Sequence, residues 1–273
     1  MSEWLKVVIL GIVQGLTEFL PISSTGHLIV TSALLNFEGS LGGTFEIFIQ
    51  LGTVFSVLVF FRREIWQQVR AIPTDRSTQR FWLAVAIAVV PAGLLGVLFS
   101  DQIKAVLFSP VVVGVALIAG GLVFLAVERR PTPAAGAPEV TPEATEITLR
   151  QAVGVGLAQM FALIPGVSRS GATIIGGLLT GLNRRAATQF SFYLAIPTLG
   201  SATLYDLWKS RDLITSNDLA MLAVGAVVSG VVGWLAVGWL LRFVANNTFV
   251  AFGYYRIAAG VVILLLVLAG LPM

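Results

Sequence analysis

The chain has 273 residues, 56% of them hydrophobic and only 11% charged, where soluble domains carry about 25% charged residues. That composition belongs to membrane proteins. Cysteine is absent, which excludes disulfides and thiolate metal sites; a single histidine excludes any site needing two imidazoles; and a net charge of +3 without a dense basic tract gives nucleic-acid binding no support.

At the N-terminus, Lys6 precedes a short apolar run that leads into Gln14 and Glu18 with no small-residue cleavage pattern, so the segment reads as mature protein rather than a signal peptide. Residues 4–35 then form an apolar segment interrupted at Pro21 and followed by hydroxyl residues. Spans are predicted at 44–61, 81–99 and 106–127, each near the ~20 residues that cross a bilayer. Residues 131–146 hold four prolines and no apolar run, and are predicted to be a flexible loop. A second interrupted segment, 151–182, breaks at Pro165, and three more spans follow at 186–207, 219–241 and 249–271. A broken helix is tolerated at membrane depth only where protein or a polar cavity satisfies the freed backbone groups. The two interrupted segments are therefore predicted to be re-entrant helix–break–helix hairpins. The expected fold is all-α: one polytopic membrane domain over 1–273, with six transmembrane helices and two re-entrant helical hairpins.

The two halves resemble each other. GLTEFLPISSTG at 15–26 faces GLAQMFALIPGVSRSG at 156–171, TFEIFIQLG at 44–52 faces TQFSFYLAIP at 188–197, and LAVAIAVV at 83–90 faces LAVGAVVSG at 222–230. Repeat one covers about 1–130, the loop about 131–147 and repeat two about 148–273. An odd number of spans per half inverts the second repeat and puts a site at the repeat interface. With 61–81 on the cytoplasmic side, that side receives Arg62, Arg63, Arg70, Arg76, Arg80, Arg129, Arg130, Arg150, Arg184, Arg185 and Arg242. The other side receives Lys6, Lys104, Lys209 and Arg211. The asymmetry follows the positive-inside rule and puts both termini outside the cytoplasm.

Two segments carry chemistry. Gln14 and Glu18 are four apart, hence on one helix face, and a carboxylate inside an apolar segment is costly enough to mark a functional site, the alternative being a wet helix end. After Pro21 come Ser23, Ser24, Thr25, Gly26 and His27. Hydroxyls just past a break sit where a helix begins, offering N–H groups and a positive dipole end suited to phosphate; plain N-capping needs only one of them. His27 is three residues from Ser24 and suits general acid or base work near neutral pH. The second segment has Ser168, Arg169, Ser170 and Thr173 after Pro165 and Gly166. The guanidinium fork fits phosphate oxygens, and neutralising Glu18 is a compatible role. Together these are parts for phosphoryl transfer. Glu46 and Gln50 can extend the polar wall, while Arg256, beside Tyr254 and Tyr255, is expected to pair internally or snorkel to an interface.

At these motifs the sequence resembles the bacterial undecaprenyl-pyrophosphate phosphatase family of the bacitracin-resistance type. The (Glu/Gln)-x-x-x-Glu motif stands as Gln14 to Glu18, Pro-x-Ser-Ser-Thr-Gly-His as Pro21 to His27, and Pro-Gly-x-Ser-Arg-Ser-x-x-Thr as Pro165 to Thr173. The resemblance implies a multi-pass enzyme of the bacterial inner membrane. It would hydrolyse the polyprenyl pyrophosphate to undecaprenyl phosphate, recycling the lipid carrier for peptidoglycan and cell-wall synthesis, with its active site opening to the extracytoplasmic side. A divalent cation, Mg or Ca, is implied as well. Ser24 would be the nucleophile unless water takes that place, Glu18 a metal ligand or base, His27 an acid–base group and Arg169 the phosphate clamp. Gln14, Ser23, Thr25, Ser168, Ser170 and Thr173 would bind substrate. Gln14 stands where many relatives have glutamate, so a scheme needing two carboxylates does not transfer. Partners are the lipid substrate and membrane lipids, with a homodimer left open. The main alternative is an inverted-repeat transporter or lipid flippase using the same midplane anion site. A type 2 phosphatidic-acid phosphatase mechanism would need two histidines.

Overall fold

Both segments expected to break do so. In the computed structural model, which describes residues 1–37, 44–129, 144–210 and 216–270, helix α1 (Glu3–Thr17) ends before Pro21 and α2 starts afresh at Ser24–Leu35. In the same way α7 (Leu149–Met160) gives way to a short 3-10 turn (Phe161–Leu163), and α8 (Arg169–Leu179) begins beyond Pro165. Helices are the regular structure of the described residues, with no strand among them. Residues 130–143, most of the expected flexible loop, lie outside the described residues; its end, Ala144–Glu146, is a 3-10 turn.

The remaining helices are α3 (Thr44–Phe60), α4 (Arg62–Ala71), α5 (Arg76–Leu107), α6 (Pro110–Glu128), α9 (Arg184–Ser210), α10 (Ser216–Asn246) and α11 (Val250–Leu268). Four stretches are long and apolar enough to cross a membrane: Arg76–Phe99, Pro110–Glu128, Leu219–Asn246 and Val250–Leu268. Of the other two expected spans, α3 carries a shorter apolar run, Phe48–Phe60. Helix α9 has the length, but it buries Thr188, Ser191 and Thr203 against its neighbours. Helix α5 departs from helical geometry at Phe99, which ends its apolar stretch. The next helix starts four residues later than the expected 106, because Ser109 caps it through the Val112 amide and Pro110 opens its first turn.

Helix α4 falls in the stretch assigned to the cytoplasmic side. None of its residues is buried, and the Arg70 guanidinium lies 4.9 Å from the Trp66 ring centroid. Asp75 caps α5, accepting from the Ser77 and Thr78 amides; the Thr78 hydroxyl, followed by those amides, holds its carboxyl below the usual range.

Helix partners are reciprocal between the halves. Helix α1 packs on α10 as α7 packs on α5, α3 packs on α10 as α9 packs on α5, and α6 pairs with α11. Small residues permit this closeness, as expected where lipid offers apolar side chains no advantage in pairing. A Cβ on Gly260 would sit 2.5 Å from the Gly114 carbonyl, and one on Gly15 would sit 2.6 Å from that of Ser229. Phe19, inside the first break, belongs to a buried aromatic cluster with Phe61, Phe81, Phe192 and Tyr193.

Candidate active site

The two breaks use the same local device. Ser23 and Ser168 immediately precede α2 and α8, and both hold a left-handed backbone, with φ of 71° and 73°. In each the hydroxyl oxygen accepts from the amide three residues on, Gly26 at 3.5 Å and Gly171 at 3.1 Å. A non-glycine residue in that region costs about 1–3 kcal/mol, so two at matching positions mark imposed geometry. The result is two helix starts whose leading N–H groups lack intrahelical acceptors, the arrangement that attracts an anion.

Glu18 and Arg169, 151 residues apart in the chain, meet between these starts. Arg169 Nη2 donates to Glu18 Oε1 at 3.2 Å, with side chains only 9% and 5% exposed. The other carboxylate oxygen accepts from Ser24 Oγ at 2.7 Å and from Gln14 Nε2 at 3.0 Å. Arg169 Nη1 donates to the Ser191 carbonyl at 2.9 Å, and Thr173 Oγ1, 2.7 Å from Ser191 Oγ, backs that contact. Ser170 donates across the breaks to the Leu20 carbonyl at 3.1 Å. A cleft of about 150 Å³ opens beside this pair, lined by Glu18, Ser23, Ser24, Thr25, Ser168 and Arg169 with Gln50 on its wall. A serine hydroxyl already giving its proton to a carboxylate, facing a guanidinium, is equipped for attack on a phosphoryl group.

The family description "Bacitracin resistance protein BacA" matches residues 7–262, and so includes both breaks and every residue of this cluster. The chain belongs to that family. It is 52% identical over 260 residues to the undecaprenyl-diphosphatase of Albidiferax ferrireducens, covering 95% of this chain and 94% of that protein. Similar relatives carrying the same name come from Acidovorax ebreus, at 49% over 271 residues, 98% and 96% of the two chains, and from Deinococcus radiodurans, at 48% over 272 residues, 98% and 97%.

Within this BacA-family chain the expected site residues divide by depth. Glu18, Ser23, Ser24, Thr25, Ser168 and Arg169 line the cleft, whereas Gln14, Ser170 and Thr173 are buried behind it and orient the lining groups. His27 is not on the lining; Nδ1 lies 2.8 Å from the Ser23 carbonyl and Nε2 2.6 Å from the Tyr255 hydroxyl. Gln50 reaches the wall as expected, and Glu46 is half-buried with one carboxylate oxygen unpartnered.

Arg256 takes the first of its two expected roles and pairs internally, though with backbone carbonyls. It neither snorkels nor pairs with a carboxylate among the described residues. Fully buried, it donates from Nη1 to the Pro21 carbonyl at 2.9 Å, and from Nη2 to those of Gly166 and Val167 at 3.0 Å each and of Ala116 at 3.4 Å. One guanidinium thus ties both breaks together. The signal was present, since an arginine in an apolar span is functional by default, but which carbonyls it reaches is a tertiary fact. Ser191 gave no such signal: one serine in a span is ordinary.

Proposed function

We propose that this protein removes the terminal phosphate of undecaprenyl pyrophosphate, giving undecaprenyl phosphate and inorganic phosphate. The observation that carries the reading is the Ser24–Glu18–Arg169 relay at two helix starts, within a chain whose matched relatives are named for this activity. The transporter alternative is not favoured, because those relatives carry the name of a phosphatase.

The terminal phosphate sits against the leading N–H groups of α2 and α8, and Arg169 turns from Glu18 towards its oxygens. Ser24 Oγ attacks the phosphorus as its proton passes to Glu18 Oε2. The bond to the bridging oxygen breaks, and undecaprenyl phosphate leaves carrying that oxygen. Glu18 passes that proton to the departing phosphate and is again a carboxylate. Water then attacks the phosphoserine and gives a proton to Glu18, the bond from phosphorus to Ser24 Oγ breaks, and Ser24 Oγ takes the proton from Glu18 as inorganic phosphate leaves. His27, expected to handle the proton, has both ring nitrogens engaged away from the cleft, and Glu18 takes that part in the scheme.

For the implied Mg or Ca ion, the chain offers Glu18 and the amide oxygen of Gln14, which is buried without a partner. Among the described residues no three His, Asp or Glu side chains gather. One carboxylate and a neutral oxygen, completed by substrate phosphates and water, suit such a hard cation. Bound there, the ion would offset charge on the phosphates. The cell inner membrane as location, an inverted repeat, both termini outside the cytoplasm and a cleft opening to that side complete the reading; arginine asymmetry and reciprocal helix pairing support them.

The test is release of inorganic phosphate from undecaprenyl pyrophosphate by purified protein in detergent, where transport is impossible. Release by wild type and its loss in Ser24→Ala support the serine route; full turnover in Ser24→Ala assigns the attack to water, and no release by wild type refutes the function.

A further inference from the structure

We propose that Tyr255 is a positioning residue that holds His27 in one tautomer and thereby pins the start of α2, with Ser24, to α11. A carbonyl oxygen only accepts, so the Nδ1 of a neutral His27, 2.8 Å from the Ser23 carbonyl, must carry the proton. Nε2 is then the acceptor, and the donor it meets among the described residues is the Tyr255 hydroxyl at 2.6 Å. The two rings stack with centroids 5.6 Å apart and planes 6° from parallel, so distance and orientation agree.

Helix α2 needs such a tether. Only Gly26 and Leu28 among its twelve residues are buried, whereas α8 buries seven of eleven. The backbone bond that should close its first turn, His27 N–H to the Ser23 carbonyl, is stretched to 3.4 Å, and Ser23 itself holds the left-handed backbone. The imidazole supplies the same carbonyl with a shorter bond and passes the load to α11. There Arg256, the next residue after Tyr255, holds the Pro21 carbonyl and both carbonyls of the second break. Adjacent side chains of one helix therefore set the position of the nucleophile-bearing turn. The inference rests on the phosphatase reading only for its kinetic arm.

His27 is the only histidine in the chain, so protein labelled with nitrogen-15 in histidine alone reports this one ring without assignment. In wild type, with the ring neutral, Nδ1 is expected to be protonated and Nε2 to be a hydrogen-bonded acceptor. In Tyr255→Phe the Nε2 resonance should move to that of an unbonded nitrogen while Nδ1 keeps its proton. Tyr255 is 46% exposed, so the lost hydroxyl leaves no buried gap. For phosphate release, kcat should fall roughly three- to tenfold, the effect of one net hydrogen bond, with KM within about twofold. A wild-type ring protonated on Nε2, an Nε2 resonance unmoved by Tyr255→Phe, or an unchanged kcat in an active enzyme would each overturn the proposal. If wild type releases no phosphate, the imidazole spectrum still decides.

Discussion

Arg256→Met removes the guanidinium that joins the breaks while keeping a long apolar side chain. Ala116 already serves the α6 ladder, but the carbonyls of Pro21, Gly166 and Val167 lie in the breaks and lose their donor. Leaving a buried carbonyl unsatisfied costs about 1–3 kcal/mol, so three give roughly 3–9 kcal/mol. Opposing this, the variant no longer desolvates a cation that has no carboxylate partner among the described residues, a relief of several kcal/mol. The expected net loss is about 2–4 kcal/mol, read as a fall in Tm of roughly 5–15 °C in detergent. Activity should suffer more, because Ser24 and Arg169 sit on opposite sides of the joint, and a shift of about 1 Å between them costs on the order of a hundredfold in kcat. Arg256→Lys should recover part of the Tm and little of the kcat, since an ammonium cannot span carbonyls from both breaks. A Met variant with the wild-type Tm and wild-type kcat would refute the joint.

Three further outcomes follow from the same geometry. Glu18→Gln takes the base from Ser24 and leaves Arg169 buried without its counter-charge; kcat should fall by about a hundred- to ten-thousandfold with stability reduced by about 3–5 kcal/mol, checked by phosphate release and unfolding. Arg169→Lys keeps a charge but cannot reach both Glu18 and the Ser191 carbonyl, so the expected loss is about a hundred- to a thousandfold in kcat at nearly unchanged expression. Gly166→Ala puts a Cβ 2.6 Å from the Val113 carbonyl at a φ of +94°, and should cost more than about 2 kcal/mol by thermal unfolding.

What could be read from the sequence was wherever lipid makes a residue improbable. Glu18, Arg169 and the prolines at 21 and 165 stand out because charge and broken backbone are expensive in an apolar segment, and both breaks lie where they were expected. Depth within the site was not readable. Ser170 and Thr173 look the same in sequence as Ser24 and Thr25, yet a helix turn away from the cleft makes them supports rather than lining. The partner of His27 lies 228 residues distant on α11, which no local spacing could reveal. Helix α4 was passed over because its polar, arginine-rich residues are charge signals first, although the helical spacing of Ile65, Trp66 and Val69 is present in the sequence.

The convergence of Glu18 and Arg169 on one buried site is most directly tested by a double-mutant cycle of unfolding free energies for Glu18→Gln, Arg169→Met and the pair together. The expected coupling is about 1–3 kcal/mol, the double variant being more stable than the sum of the singles would give. Strict additivity would mean that the two side chains do not meet, and the cleft between the breaks would lose its chemistry.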